Sequence, residues 1–192
     1  VAYSQPSGSQ TRSEYVPTKE LFDLYSTTDI RKSAYFKVGT FSGSTYNNIS
    51  KYDGRGNGVR NVVDIKVLRI EEAYLNKAEA EYRFSGGGLS SLDAVRAQRY
   101  SSFVSGGETG TALLDAILLE RRLEFAFEMD RFYTMKRLGL SVNRSAVDGH
   151  YADGSGTVAE ALSLPAGDYR WQFPIPQTER DLNPNLQQNP DY

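Results

Sequence analysis

Polar and apolar positions recur with helical spacing most clearly over residues 67–84, VLRIEEAYLNKAEAEYRF. At 100° per residue, Arg69, Glu72, Asn76, Glu79 and Arg83 fall on one narrow polar strip. Val67, Ile70, Ala73, Tyr74, Leu75, Ala78, Ala80 and Tyr82 fill most of the remaining arc, which predicts a helix packed on more than one side. Gly86-Gly87-Gly88 ends it. A second helix is expected from Leu89 to Tyr100, with Ser90 or Ser91 as cap and Leu92, Ala94 and Val95 as packing residues, so that the short connection makes an antiparallel hairpin. After Ser105-Gly106-Gly107, a third helix is expected from about Ala112 to Met129, with a kinked continuation through Leu138 to Gly139. Its Leu113, Leu114, Ile117, Leu118, Leu119, Leu123, Phe125 and Phe127 point in several directions, the pattern of a largely enclosed helix.

The flanks lack this regularity. Residues 1–14 are Ser/Gln/Thr-rich and read as loop, and a short helix within Val16–Tyr25 starts at a Thr18 cap. From Asp29 to Asp64, glycines among isolated aromatics predict a loop-rich stretch, with Tyr35 to Val38 as its best strand. Residues 140–168 carry DG and SG turn pairs, and the Pro-punctuated end from Phe173 is extended apart from a helical turn that Thr178 could cap. The expected fold is therefore mainly α, with tetratricopeptide-like helical hairpins and long irregular loops. It forms one unit: a loop-rich region over 1–66, a helical core over 67–139, and a loop and extended segment over 140–192. No clean repeat at roughly 34 residues accompanies it.

Composition removes several function classes. The 22 basic residues nearly cancel the 24 acidic ones, so a net charge of -2 leaves no field to gather nucleic acid or anionic lipid. The absence of cysteine removes disulfides, thiolate metal sites and thiol nucleophiles. No apolar run approaches the roughly 20 residues that span a bilayer. The start, Val1-Ala2-Tyr3-Ser4, has neither Met nor a signal-like pattern, and reads as a fragment or processed product.

Candidate catalytic chemistry is sparse. His150 is the only histidine, too few for a zinc site, and lies in a loop-like HYADGSGT. DGRGNG at 53–58 has the glycine density of a phosphate loop without the following Lys-Ser/Thr, and DGSGT at 153–157 lacks calcium-ligand spacing. A glycosidase needs two acids across a cleft. The best-placed ones, Glu72, Glu79, Glu120, Glu124 and Glu128, have arginines for neighbours, which keep a carboxylate ionised when a general acid must hold its proton. Enclosed helices cannot leave such charges unpaired, so Arg69, Glu72, Glu79, Arg121, Glu124 and Glu128 are expected to form an interhelical network. No cofactor or metal is indicated, and the chain is not expected to be an enzyme.

Three separated motifs carry a family resemblance. They are VLRIEEAYLNKAEAEYR with Arg69, Glu72 and Ala78-Glu79-Ala80, then ERRLEFAFEMDRFYTMKRLG with Glu120, Arg121, Arg122, Glu124, Glu128, Arg131 and Arg137, and finally FPIPQTERDLNPNLQQNPDY. In this order they resemble the C-terminal portion of the SusD/RagB family, and YVPTKELFDLY, Asp29, Arg31 and Lys51-Tyr52 are also similar to it. Thr134 stands where the family often has an acid, Phe132 where it often has Trp, and Asp191 where Gly is usual. The resemblance implies the C-terminal lobe of a helical, tetratricopeptide-containing lipoprotein. Such proteins sit on the outer-membrane surface of Bacteroidetes through an N-terminal lipid anchor that this chain lacks. They cap a SusC-like TonB-dependent transporter and help deliver oligo- or polysaccharides to it. A helical docking module that touches no glycan is the alternative.

Sugar recognition needs a flat aromatic face with polar groups around it. Tyr3, Tyr46 and Tyr151 are the candidate glycan contacts because they lie in polar stretches, Tyr46 beside Asn47 and Asn48. Trp171 reads as a core residue.

Overall fold

The computed structural model describes residues 15–52, 66–144, 149–157 and 163–192, together with the backbone of 4–7 and 10–13. Strands β1 (Ser4–Ser7) and β2 (Gln10–Ser13) form an antiparallel pair, where the sequence reads as loop. Helix α1 (Lys19–Leu24) begins as its sequence expects, with the Thr18 hydroxyl accepting from the Leu21 amide. Helix α2 (Ile30–Tyr35) runs into β3 (Phe36–Phe41), which pairs in antiparallel register with β4 (Ser44–Ile49) through the Ser42-Gly43 turn. The region 1–66 therefore holds more regular structure than its glycine content indicates.

The helical core consists of α3 (Ile70–Ser85), α4 (Leu89–Arg96), α5 (Gly110–Glu124) and α6 (Asp130–Leu138). Leu75 and Ala78 of α3, Leu92 and Val95 of α4, and Leu113 and Ile117 of α5 form one buried cluster closed by Phe125. The α3–α4 connection depends on Gly88, whose φ is +109°. A Cβ there would lie 2.3 Å from the Ala78 carbonyl oxygen, so only glycine allows this approach. Gly88, not Ser90 or Ser91, occupies the N-cap of α4, and Ser91 is buried, donating to Glu81 at 2.8 Å.

Tertiary contacts end two helices earlier than periodicity indicates. Helix α4 stops at Arg96 because Arg99 and Tyr100 are drawn into backbone contact with the 28–30 segment, with the Ile30 amide donating to the Arg99 carbonyl. Helices α5 and α6 are separate elements, since Phe127 and Met129 take left-handed φ values of 67° and 63°. The enclosure is also incomplete: Ile70, Tyr74, Phe84 and Leu119 are exposed.

A second cluster of Tyr25, Phe36 and Leu123 ties α1, α2 and β3 to the end of α5, with the Tyr25 hydroxyl donating to the Leu123 carbonyl at 2.8 Å. Strands β5 (Val142–Asn143) and β6 (Ser163–Leu164) pair downstream. Trp171 is buried as expected, its indole donating to Pro165. Helix α7 (Gln177–Leu182) starts after Pro176, so Thr178 lies inside it and is not its cap. The closing motif then folds back: the Gln188 amide brackets the Ile175 backbone at 2.8 and 3.0 Å, Asn189 donates to the Phe173 carbonyl, and Tyr192 donates to that of Gln172. Among the described residues, no helix is long and apolar enough to cross a membrane.

Candidate functional site

The chemistry of the chain is concentrated where the end of α5 meets α2, the start of α3 and the turn after α4. Asp29 caps α2, and its carboxylate also accepts from the Arg31 side chain, so a buried guanidinium is fixed at the first turn of a six-residue helix. Arg31 then reaches across to α5, lying 3.0 Å from Glu124 and 2.7 Å from Glu120. Glu124, fully buried, also takes Arg99 at 2.8 Å and Arg69. Burial pushes the Glu124 carboxyl up, but the hydrogen bond from Arg99 and the charges of Arg99, Arg31 and Arg69 outweigh it and hold the group below the usual carboxylate range. For Arg31, burial disfavours the cation, while Asp29 and Glu120 more than reverse this.

Lys51 closes the other side. Its ammonium donates to the Glu124 and Ala126 carbonyls at 2.7 and 3.0 Å, pairs with Glu128 at 2.6 Å and lies 4.0 Å from the Tyr35 ring centroid. It thereby satisfies carbonyls that α5 leaves open at its C-terminus. Burial lowers this ammonium to about 8 despite the opposing pull of Glu128. Tyr100, between Arg31 and Glu120, is pushed up to about 12 by burial and by the Glu120 charge.

The six charged residues singled out by sequence fall into three groups. Arg69 joins Glu124 and Glu128. Arg121 lies 3.7 Å from Glu72 and is held mainly by Asp130 and Asn76. Glu79 belongs to a separate cluster with Arg83 and Arg137, which donate to it at 2.7 Å. The Phe125 ring lies between the first two groups, with the Arg69 and Arg121 guanidiniums 5.1 and 5.3 Å from its centroid. Sequence reasoning left Asp29, Arg31, Lys51, Glu71, Arg99 and Glu120 out of the network, although Asp29, Arg31, Lys51 and Glu120 already stood out in the resemblance.

Two clefts open above these charges. The larger, about 400 Å³, has Tyr35, Tyr52, Lys51, Glu71 and Arg99 in its wall; the smaller, about 230 Å³, has Tyr133, Phe125, Glu72 and Asp130. Lys66, Arg69 and Glu128 line both, so the clefts adjoin. Tyr133 is 59% exposed and packs edge-on against Phe132, which is itself stacked on Phe173 and in contact with Trp171.

Of the three candidate glycan tyrosines, Tyr46 and Tyr151 do not line these clefts. Tyr3 lies outside the described residues. Tyr46 is a strand residue and not a loop residue: it sits in β4 with 6% of its surface exposed, because the 149–157 loop folds over it. That loop is joined to β4 by the Ala152 amide donating to Thr45, and it places Tyr151 edge-on to Tyr46 at 5.4 Å. Tyr151 is half-buried and also contacts His150, whose Nδ1 accepts from the Thr157 amide at 2.8 Å. In DGSGT, the Asp153 carboxylate accepts from the Ser155 amide and hydroxyl, as in a turn. DGRGNG lies outside the described residues. Among the described residues, no group of three or more His, Asp or Glu side chains could hold a metal ion.

Comparison with known proteins places this architecture. No curated protein matches the sequence. Among solved structures, a protein from Bacteroides vulgatus described as sugar-binding superposes with a TM-score of 0.74 at 27% identity, over 90% of this chain and 38% of its own. A SusD superfamily protein from Bacteroides thetaiotaomicron gives a TM-score of 0.73 at 27% identity, over 90% and 40%. Surface glycan-binding protein A from Bacteroides uniformis shares the fold, with a TM-score of 0.68 at 20% identity over 98% and 45%. The chain thus spans about two fifths of the length of these structures. The SusD family model matches residues 40–192, which include all three sequence motifs and the charged centre apart from Asp29 and Arg31, and the chain belongs to the SusD family.

Proposed function

We propose that this chain is part of a non-catalytic glycan-binding component of an outer-membrane nutrient-uptake system, exposed at the cell surface and working with a TonB-dependent transporter. The observation that carries this reading is family membership together with the 27% identity, over 90% of the chain, to a protein described as sugar-binding. The charged centre supports binding over catalysis. Glu124 is held ionised by three arginines and Glu79 by two, so neither is suited to donate a proton at neutral pH. In this reading the α3–α4 hairpin is a tetratricopeptide-like unit. The test is an oligosaccharide array probed with the full-length protein, with affinity capture of the transporter in parallel. Binding of glycans without turnover is expected; hydrolysis that disappears in a single Glu variant would overturn the non-catalytic reading.

A second reading, a docking module that leaves glycan contact to other regions, draws on the exposed Val67, Leu68 and Ile70 at the start of α3. It predicts transporter capture by a protein that retains glycan affinity when the clefts of this region are altered.

A further inference from the structure

The two adjoining clefts carry a more specific assignment, which rests on the glycan-binding reading. We propose that they form one groove for a neutral oligosaccharide, with Tyr52 and Tyr133 as ring platforms, one in each cleft, and Lys66, Glu71 and Glu72 as partners for hydroxyl groups.

Tyr133 supplies the platform of the smaller cleft. A large aromatic at 59% exposure has a free face, and its edge-on contact with Phe132, backed by Phe173 and Trp171, holds the ring still. A fixed flat ring suits the C–H face of a sugar and loses little freedom when one binds. Tyr52 stands in the wall of the larger cleft, its hydroxyl hydrogen-bonded to the shared Glu128. The combined volume suits a ligand of a few rings, since sites of this kind span roughly 300–1,000 Å³.

The charge pattern selects a neutral ligand. Arg31, Arg69 and Arg99 line the larger cleft, but their donors are already directed at Asp29, Glu124, Glu128 and Glu71. Glu71, Glu72, Glu128 and Asp130 also face the clefts, four acids against the five bases Arg31, Lys51, Lys66, Arg69 and Arg99, and the bases other than Lys66 are already paired with acids, which leaves a carboxylate or sulfate little unpaired positive charge. A sugar hydroxyl both donates and accepts, which matches a wall of alternating sign. Lys66 lies exposed at the junction, where its ammonium can meet such a group.

Calorimetric titration of the full-length protein with hexasaccharides of glucose, xylose and mannose, and with an oligogalacturonate, tests this at 50 and 500 mM NaCl. At least one neutral hexasaccharide should bind with an affinity insensitive to salt. Tyr133→Ala and Tyr52→Ala should each weaken it about five-fold, Tyr133→Trp should retain it, and Phe84→Ala, an exposed aromatic on the far end of α3, should leave it unchanged. Neutral binding that both alanine variants preserve would overturn the groove while leaving the glycan reading intact. Binding confined to the oligogalacturonate, weakened by salt, would overturn the neutral class. Absence of binding to every glycan by the wild-type protein would overturn the glycan reading itself, and the groove with it. Unchanged melting temperatures for the variants separate lost contacts from lost folding.

Discussion

Glu124→Gln tests the charged centre most directly. The substitution keeps size and one carbonyl acceptor but removes the charge that Arg31, Arg69 and Arg99 share at a fully buried position. Removing one partner of a buried pair costs about 3–5 kcal/mol, because the remaining charge stays desolvated without compensation. Here Glu120, Glu128, Asp29 and Glu71 still hold parts of the three guanidiniums, which places the expected loss near the lower end, about 3 kcal/mol. For a chain of this size that lowers the melting temperature by about 6–12 °C.

Urea denaturation followed by far-UV circular dichroism measures this, with Glu20→Gln as the comparison. Glu20 also pairs with an arginine of α5, Arg122, but its side chain is half-exposed, so its loss should cost under about 0.5 kcal/mol. Acid should act on Glu124 in the same direction as the substitution. Its folded-state pKa lies below the unfolded value, so its stabilisation is present above the unfolded pKa of about 4.3 and is lost as pH falls through the lower folded value. The wild-type advantage over Glu124→Gln should therefore shrink below about pH 4. A loss under about 1 kcal/mol at pH 7, or an advantage that is flat with pH, would refute the view that this carboxylate organises the centre.

Lys51 also adds stability as pH rises, but in a higher window and because burial disfavours its cation. Its folded pKa, about 8, lies below the unfolded value, so the stability of the wild type relative to Lys51→Met should rise by about 2 kcal/mol between pH 8 and 9.5, measured by urea melts across that range. Gly88→Ala should cost at least about 2 kcal/mol in the same assay, because the left-handed backbone and the Ala78 carbonyl both oppose a Cβ, whereas Gly107→Ala, with open space around it, should cost less. Gln188→Ala should speed hydrogen exchange at the Ile175 amide about ten-fold, since that amide donates to the lost side chain. Unchanged exchange would detach the closing motif from the segment it brackets.

Much of the helical core is legible in sequence because its signals are local. Residues 70–85 carry both periodicity and a glycine stop, and α1 carries its own Thr18 cap. What escapes is structure made by distant partners. In β4, Tyr46, Asn47, Asn48 and Ile49 are all buried, so the strand has no alternation to betray it. Helix α2 buries an arginine, which reads as surface until Glu124, 93 residues away, is known to meet it. The same holds for Glu79 and Arg137: enclosure says that a charge must be paired, but only the fold says with which residue. The departure at Asp191 was visible and has a physical reading, since its φ of +67° lies in the left-handed region where glycine is at ease.

A charge-rich centre is a poor way to gain stability, since well-packed apolar residues of similar volume often do as well or better. Its use here follows from what the arginines connect. Arg31 ties α2 to α5, Arg69 ties the start of α3 to α5 and the turn before α6, and Arg99 ties the segment after α4 to both α5 and α3. Apolar side chains could fill the same space, but they would tolerate small shifts of one element against another. Guanidinium–carboxylate pairs are directional, and each here is shared, so a shift that improves one contact breaks the next. The elements fixed in this way are those that carry Tyr35, Glu71, Glu72 and Glu128, the side chains that line the two clefts. In the proposed groove the network would act through position, holding the cleft walls at a set separation without itself providing the exposed aromatic face.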